Sequence, residues 1–158
     1  MSSPFLHRNL PRLLLQAREA VMAHTRPHLR DHGLTDQQWR VLRVLGERQT
    51  EGGVDAGTIS REAFISAPSL SGVLVRMERD GLVRRYVDAR DARRAWIETT
   101  PRGRRLVAHL SRAIEAHYAM LESRLGVQSL EQLYALLDCL IAVDAPTDTE
   151  LSSLGTPA

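Results

Sequence analysis

The sequence predicts a mainly α chain with a minor β part: a helix-turn-helix lobe carrying a two-stranded ribbon, flanked by N- and C-terminal helices that form a dimerisation domain. Three observations predict it. Apolar residues recur at helical spacing over most of the 158 residues, and capping residues bracket those runs. Between Leu82 and Ile97 the pattern changes to two loosely alternating runs on either side of a basic tip, which is how a hairpin reads. Surplus apolar stripes on the first and last helices exceed what one small core needs.

Met1 to Asn9 reads as a loose or partner-docked arm, and Asn9 as the N-cap of a helix from Leu10 to about Asp31 that stops at Gly33. Its stripe is Leu10, Leu14, Ala17, Val21, His24 and His28, part of it facing a second copy. Pro27 removes a backbone donor and is expected to kink the helix. Thr35 and Gln38 form a capping box opening a second helix with Trp39, Val41, Leu42, Val44 and Leu45, which ends at Gly46. Thr50 to Val54 reads as a polar Gly-rich loop. Asp55 caps a short helix through Ala63 or Phe64, and Ile65 and Ser66 make the turn.

The next helix takes Ser66 as N-cap, has Pro68 in its first turn and ends at Gly81, which suits the left-handed position after a helix. Leu70, Val73, Leu74 and Met77 form its apolar face. Leu82 to Val87 is one strand of the ribbon, Asp88 to Arg93 the tip, and Arg94 to Ile97 the return strand. Thr100 and Pro101 open a long helix to about Arg124, with Leu106, Leu110, Ile114, His117, Met120 and Leu121 inward. Ser129 and Gln132 make a further capping box for a Leu-rich last helix, and the tail beyond Pro146 is frayed. The division expected is 1–34 and 101–146 for dimerisation, 35–100 for the helix-turn-helix lobe with its ribbon and 147–158 as a flexible tail.

The outward face of the helix after Ser66 carries Pro68, Ser69, Ser71, Gly72, Val75, Arg76 and Arg79. Little bulk lets a backbone approach a duplex, hydroxyls meet base edges or phosphates, and Arg suits guanine or phosphate, so this face is read as the part that enters a major groove. The formal charge is only +2. Yet Arg76 to Arg105 holds ten Arg against five acidic residues, which concentrates positive charge where DNA would lie. All 21 basic residues are Arg, a composition favouring bidentate contacts.

Other function classes lack support. A single cysteine, Cys139, excludes an internal disulfide, fits a reducing cytosol and is expected to be a small buried residue. No apolar run approaches a membrane span and Met1 to Leu10 is no signal peptide, so a soluble, cytoplasmic protein is expected. No nucleophile with its base, phosphate loop or carboxylate pair marks an enzyme, and no cofactor is expected. His24, His28 and His32 recur every four residues with chelating spacing. Pro27 disturbs that series and no Cys is near, so no metal is expected; pocket or interface histidines are the reading, and zinc sensing is the alternative.

The helix with Pro68, Ser69 and Gly72, the following Gly81-Leu82-Val83, and the tip Asp88, Arg90, Asp91, Arg93 (D-x-R-D-x-R) together resemble the winged helix-turn-helix of MarR-family transcriptional regulators. Ile97, Glu98, Thr99, Thr100, Pro101, Arg102, Gly103 departs from the family pattern by one inserted residue or a shifted register. The resemblance implies a homodimer on a palindromic double-stranded operator, with the two wings one helical turn, about 34 Å, apart. It makes Arg90 or Arg93 the minor-groove finger, Asp91 its brace and Arg94 a neighbouring contact. A narrower likeness runs from Leu13 to Leu110 through Gln16-Ala17-Arg18-Glu19, Arg26-Pro27, Thr35 to Arg40 and Arg76 to Val83. It points to the HpaR branch, which represses operons for homoprotocatechuate breakdown and responds to small aromatic acids.

Such an acid needs a cation, a polar partner and flat apolar walls. Arg18, His24, His28, Trp39 and Arg40 supply those types where the first two helices meet. An Arg amid Leu and Ala is costly to bury without an anion, which points to a ligand at Arg18; an ion pair with Glu19 or Glu122 is the other reading. A winged helix can also be an architectural module that ignores DNA sequence, and the short donors at Ser69 and Gly72 argue against that.

Overall fold

The computed structural model describes residues 6–48, 52–88 and 91–143, in two compact units, Met1–Glu115 and Ala116–Ala158. In the first unit, helix α1 (Leu10–Asp31) begins where Asn9 accepts the Arg12 N–H at 3.0 Å. It runs as one helix through Pro27. Its core face is Thr25 and Leu29, one position on from the His24 and His28 of the expected stripe, both of which are exposed. Leu10 and Leu14 are exposed as well.

Helix α2 (Asp36–Arg48) opens on the expected reciprocal box: the Thr35 N–H donates to Gln38 Oε1 at 2.9 Å and the Gln38 N–H to Thr35 Oγ1 at 3.2 Å. Trp39, Val41, Leu42, Val44 and Leu45 are buried. Gly46 does not end this helix, which continues to Arg48, where an ion pair to Glu62 holds the last turn.

The expected loop up to Val54 ends instead in a short strand. β1 (Val54–Asp55) pairs antiparallel with β3 (Asp91–Thr99), Val54 opposite Ile97 and Asp55 opposite Trp96. With β2 (Val83–Asp88) the sheet is three-stranded in the order β1-β3-β2, so the ribbon has an extra strand at its base. Its return strand is longer than expected, beginning at Asp91 rather than Arg94. Pairing of β2 with β3 continues past an irregularity at Val87/Asp88 to Asp88 opposite Asp91.

Helix α3 (Ala56–Glu62) is capped by Asp55, which accepts the Thr58 N–H at 3.0 Å and the Thr58 hydroxyl at 2.6 Å. The Thr58 side chain, and after it the backbone amides, hold the Asp55 carboxyl below its ordinary range. A lowered folded-state value means that the cap stabilises above the ordinary carboxylate range and is lost as pH falls through the folded value. Asp55→Ala is therefore expected to cost about 1 kcal/mol at pH 7, and its melting point should begin to approach the parent's as pH falls below the ordinary carboxylate range and meet it only below the lowered folded value. Thermal scans across that fall in pH test this.

Helix α5 (Pro101–Leu125) starts at the foot of the sheet. The Thr100 hydroxyl donates to Gly81 O at 2.6 Å and accepts the Gly103 N–H at 3.1 Å. In the second unit the end of α5 is separated from α6 (Val127–Val143) by Gly126 alone, at φ +85°. The expected capping box at Ser129 and Gln132 does not form, because the left-handed glycine restarts the helix one turn earlier and Leu130 N–H bonds Gly126 O at 3.1 Å. Leu130 is the buried residue of α6, while Leu136, Ile141 and Val143 are at least 69% exposed. Cys139 is exposed too, contrary to its expected burial. Among the described residues no helix is long and apolar enough to cross a membrane.

Candidate nucleic-acid interface and effector site

Helix α4 (Ala67–Arg79) has the polarity its sequence dictates. Leu70, Val73, Leu74 and Met77 are buried, whereas Ser66, Pro68, Ser69, Ser71, Arg76 and Arg79 are exposed and Gly72 half-buried. Ser66 stands at the N-cap but donates its hydroxyl to Ser69 Oγ at 2.9 Å and makes no side-chain cap bond to the backbone. Gly81 takes the left-handed φ of +68° after the helix. The Glu78 carboxylate then accepts from the Arg85 backbone N–H and guanidinium, each at 3.1 Å, which ties α4 to β2.

The turn ahead of α4 is held by contacts that the sequence did not advertise. Arg40 Nη1 donates to Ala63 O at 2.5 Å and Phe64 O at 3.0 Å, and Ser60 Oγ to Ile65 O at 2.6 Å. Phe64 sits at φ +50° with its side chain 87% exposed. A bulky side chain at positive φ is strained by steric contact with its own carbonyl, and here no packing offsets it. Phe64→Gly is thus expected to raise stability by about 1 kcal/mol, read as a shift in the urea midpoint with unchanged slope.

At the wing, Arg84 Nε donates to Glu98 at 2.8 Å, and the Tyr86 hydroxyl contacts Gly52 O and Glu98. These bonds brace the base of the ribbon. Arg90 lies outside the described residues. Asp91, Arg93 and Arg94 are placed at the start of β3 by their backbone.

Of the five residues read as an effector site, two lie close enough for their charges to interact, Arg18 and Arg40. Arg18 pairs with Glu19 at 2.7 Å and approaches Asp36 at 3.8 Å. Burial, and after it the Arg18 charge, push the Arg40 guanidinium down from its ordinary value. Trp39, which precedes Arg40 in sequence, is buried in the core. The premise of a buried, anionless Arg18 does not hold, since its side chain is 45% exposed and ion-paired. Arg26 completes the carboxylate ladder, donating to Glu19 at 2.6 Å and Asp36 at 3.1 Å, and its hydrogen bonds hold the Glu19 carboxyl below the usual range.

His24 and His28 are exposed on α1. His32 Nδ1 engages His28 O at 2.9 Å and its ring lies 5.0 Å from that of His109. Among the described residues no three His, Cys, Asp or Glu converge on a metal position. None of the five candidate residues lines either of two cavities formed by described residues. One, about 630 Å³, is walled by Leu42, Val54, Ile97 and Val107 with Arg104 among its lining residues; the other, about 490 Å³, lies by His32, Arg79 and Arg102.

Comparison with known proteins agrees with this architecture. Residues 32–94 match the family model described as MarR family. The homoprotocatechuate degradative operon repressor of Escherichia coli is 39% identical over 151 residues, covering 92% of this chain and all of the relative. The crystal structure of NadR in complex with 4-hydroxyphenylacetate superposes with a TM-score of 0.79 at 36% identity, covering 89% of this chain and 97% of that one. The S. aureus MepR–DNA complex superposes with a TM-score of 0.75 at 26% identity, covering 87% and 99%. Helix α4, its braced ribbon and a full-length match above one-third identity lead to one assignment: the chain belongs to the MarR family of transcriptional regulators.

Proposed function

We propose that this regulator is a repressor of an aromatic-acid catabolic operon, of the hydroxyphenylacetate or homoprotocatechuate type, released when a small phenolic carboxylate binds. The observation that carries the DNA half is the outward face of α4, exposed at Ser66, Pro68, Ser69, Ser71, Arg76 and Arg79 and dominated at its start by short side chains. Relatives named for homoprotocatechuate and crystallised with 4-hydroxyphenylacetate support the effector class. Ser69, Ser71, Gly72, Arg76 and Arg79 read or hold the major groove, and Arg90 or Arg93, braced by Asp91 beside Arg94, enters the minor groove. The exposed leucines of α1 and the apolar exposed face of α6 are covered by a second copy, giving a dimer on a palindromic operator.

The effector carboxylate is placed at Arg18 and Arg40, with Trp39 as the flat wall and His24 and His28 for ring hydroxyls, the pocket closed by the second copy. An effector shifts DNA affinity only by binding one state better than the other. The test is binding to the intergenic DNA upstream of the gene against random duplex as salt rises, with and without 4-hydroxyphenylacetate. Preference for the intergenic DNA, lost on adding the acid, is the expected result. Equal affinity for both duplexes with a steep salt slope would identify an architectural protein instead. Arg18→Ala is expected to weaken release by about tenfold or more, the worth of one charged contact. A second reading is favoured by the apolar 630 Å³ cavity, whose Arg104 could meet a carboxylate: release insensitive to Arg18→Ala but abolished by Arg104→Ala would move the effector there.

A further inference from the structure

The outward face of α4 has an apolar residue at its centre that the reading above does not use. Pro68, Gly72, Val75 and Arg79 are spaced i, i+4, i+7, i+11 and so form one line along the helix, opposite the buried Leu70, Leu74 and Met77. Val75 is 57% exposed. Its neighbours on the line leave it standing clear: Gly72 has no side chain, and Pro68 offers no donor. A Cβ placed on Gly72 would meet the Arg76 guanidinium at 3.7 Å, so that Arg lies along the flank of the line. Hydroxyls at Ser69 and Ser71 flank it as well.

A major groove presents donors and acceptors at every base pair and one apolar group, the C5-methyl of thymine. A branched aliphatic side chain at the middle of the inserted face has no polar partner to offer and would leave a donor or acceptor unpaired if set against a guanine or cytosine edge. From this juxtaposition we infer that Val75 is a specificity-determining residue that packs on a thymine methyl in each half-site. The inference rests on α4 entering the major groove. Val75 then requires an A·T pair at a fixed step from the position read by Arg76, and contributes selection by contact area rather than hydrogen bonding.

The test begins with selection of binders from a random-sequence duplex pool by the full chain, followed by replacement of each dT in the winning site with dU, which removes only the methyl. One dT per half-site should lose about fourfold in affinity, the value of one buried methyl, and this loss should vanish in Val75→Ala. Val75→Ser should lower the T enrichment at that position in a repeat selection, with an unchanged melting point because the side chain is exposed. Methyl loss that costs the parent and Val75→Ala equally, or no methyl sensitivity at all, overturns the assignment while leaving the DNA-binding reading intact. Failure of the parent to enrich any sequence overturns both.

Discussion

Gly103→Ala is expected to destabilise the protein by about 3 kcal/mol, near the upper end for forcing atoms into a filled site. A Cβ at this position would stand 2.2 Å from Leu82 O and 2.7 Å from Thr99 Cγ2. Neither neighbour can yield cheaply. Leu82 O already accepts the Thr100 N–H at 3.0 Å, and Leu82 and Val83 are buried where α4 passes into the ribbon. The Gly103 N–H is itself fixed on the Thr100 hydroxyl that caps α5. Relief therefore requires α5 to move off the sheet, breaking cap and packing together. For a chain of this length the melting point should fall by about 6–12 °C; a fall under 2 °C would show that the contact relaxes without cost. Gly103→Ala should also weaken DNA binding, because the same joint sets the angle of the wing.

What the sequence made legible were features closed within a few residues. Asn9, Thr35 with Gln38, Asp55 and Thr100 all act at or near their own helix ends, and the apolar spacing of α4 alone identified its buried face. Features closed over longer distances were not legible. β1 has two residues and becomes a strand only because Ile97 and Trp96 lie opposite it. Arg40 also gave no sign in the sequence that its Nη1 would hold two carbonyls more than twenty residues away. Ser129 and Gln132 have capping spacing, but the left-handed Gly126 decides where α6 begins. On α1 the sequence singled out the stripe through Leu10, Leu14, His24 and His28, part of it read as facing a second copy, but not the face that meets the core. The run of apolar residues is wide enough to admit two faces, and Thr25, not His24, turns to the core.

Arg76→Ala is expected to reduce operator affinity by about a hundredfold or more, since one base-reading Arg contributes roughly 1–3 kcal/mol and a dimer carries two. Arg79 is the instructive comparison. Its Nε is engaged by Asp80 at 2.9 Å, and that carboxylate raises the guanidinium's proton affinity while neutralising part of its field. Among the described residues no carboxylate pairs with Arg76, so its donors remain for DNA. Arg79→Ala should therefore cost less, by about tenfold or below if it meets only phosphate. The two roles separate in a salt titration. Loss of a phosphate contact lowers affinity for all sequences and flattens the salt slope by about one counterion per site, whereas loss of a base contact leaves the slope and relaxes preference at one position. If Arg76→Ala flattened the slope and kept the sequence preference, Arg76 would be a backbone anchor, and base reading on α4 would fall to the serines and Val75.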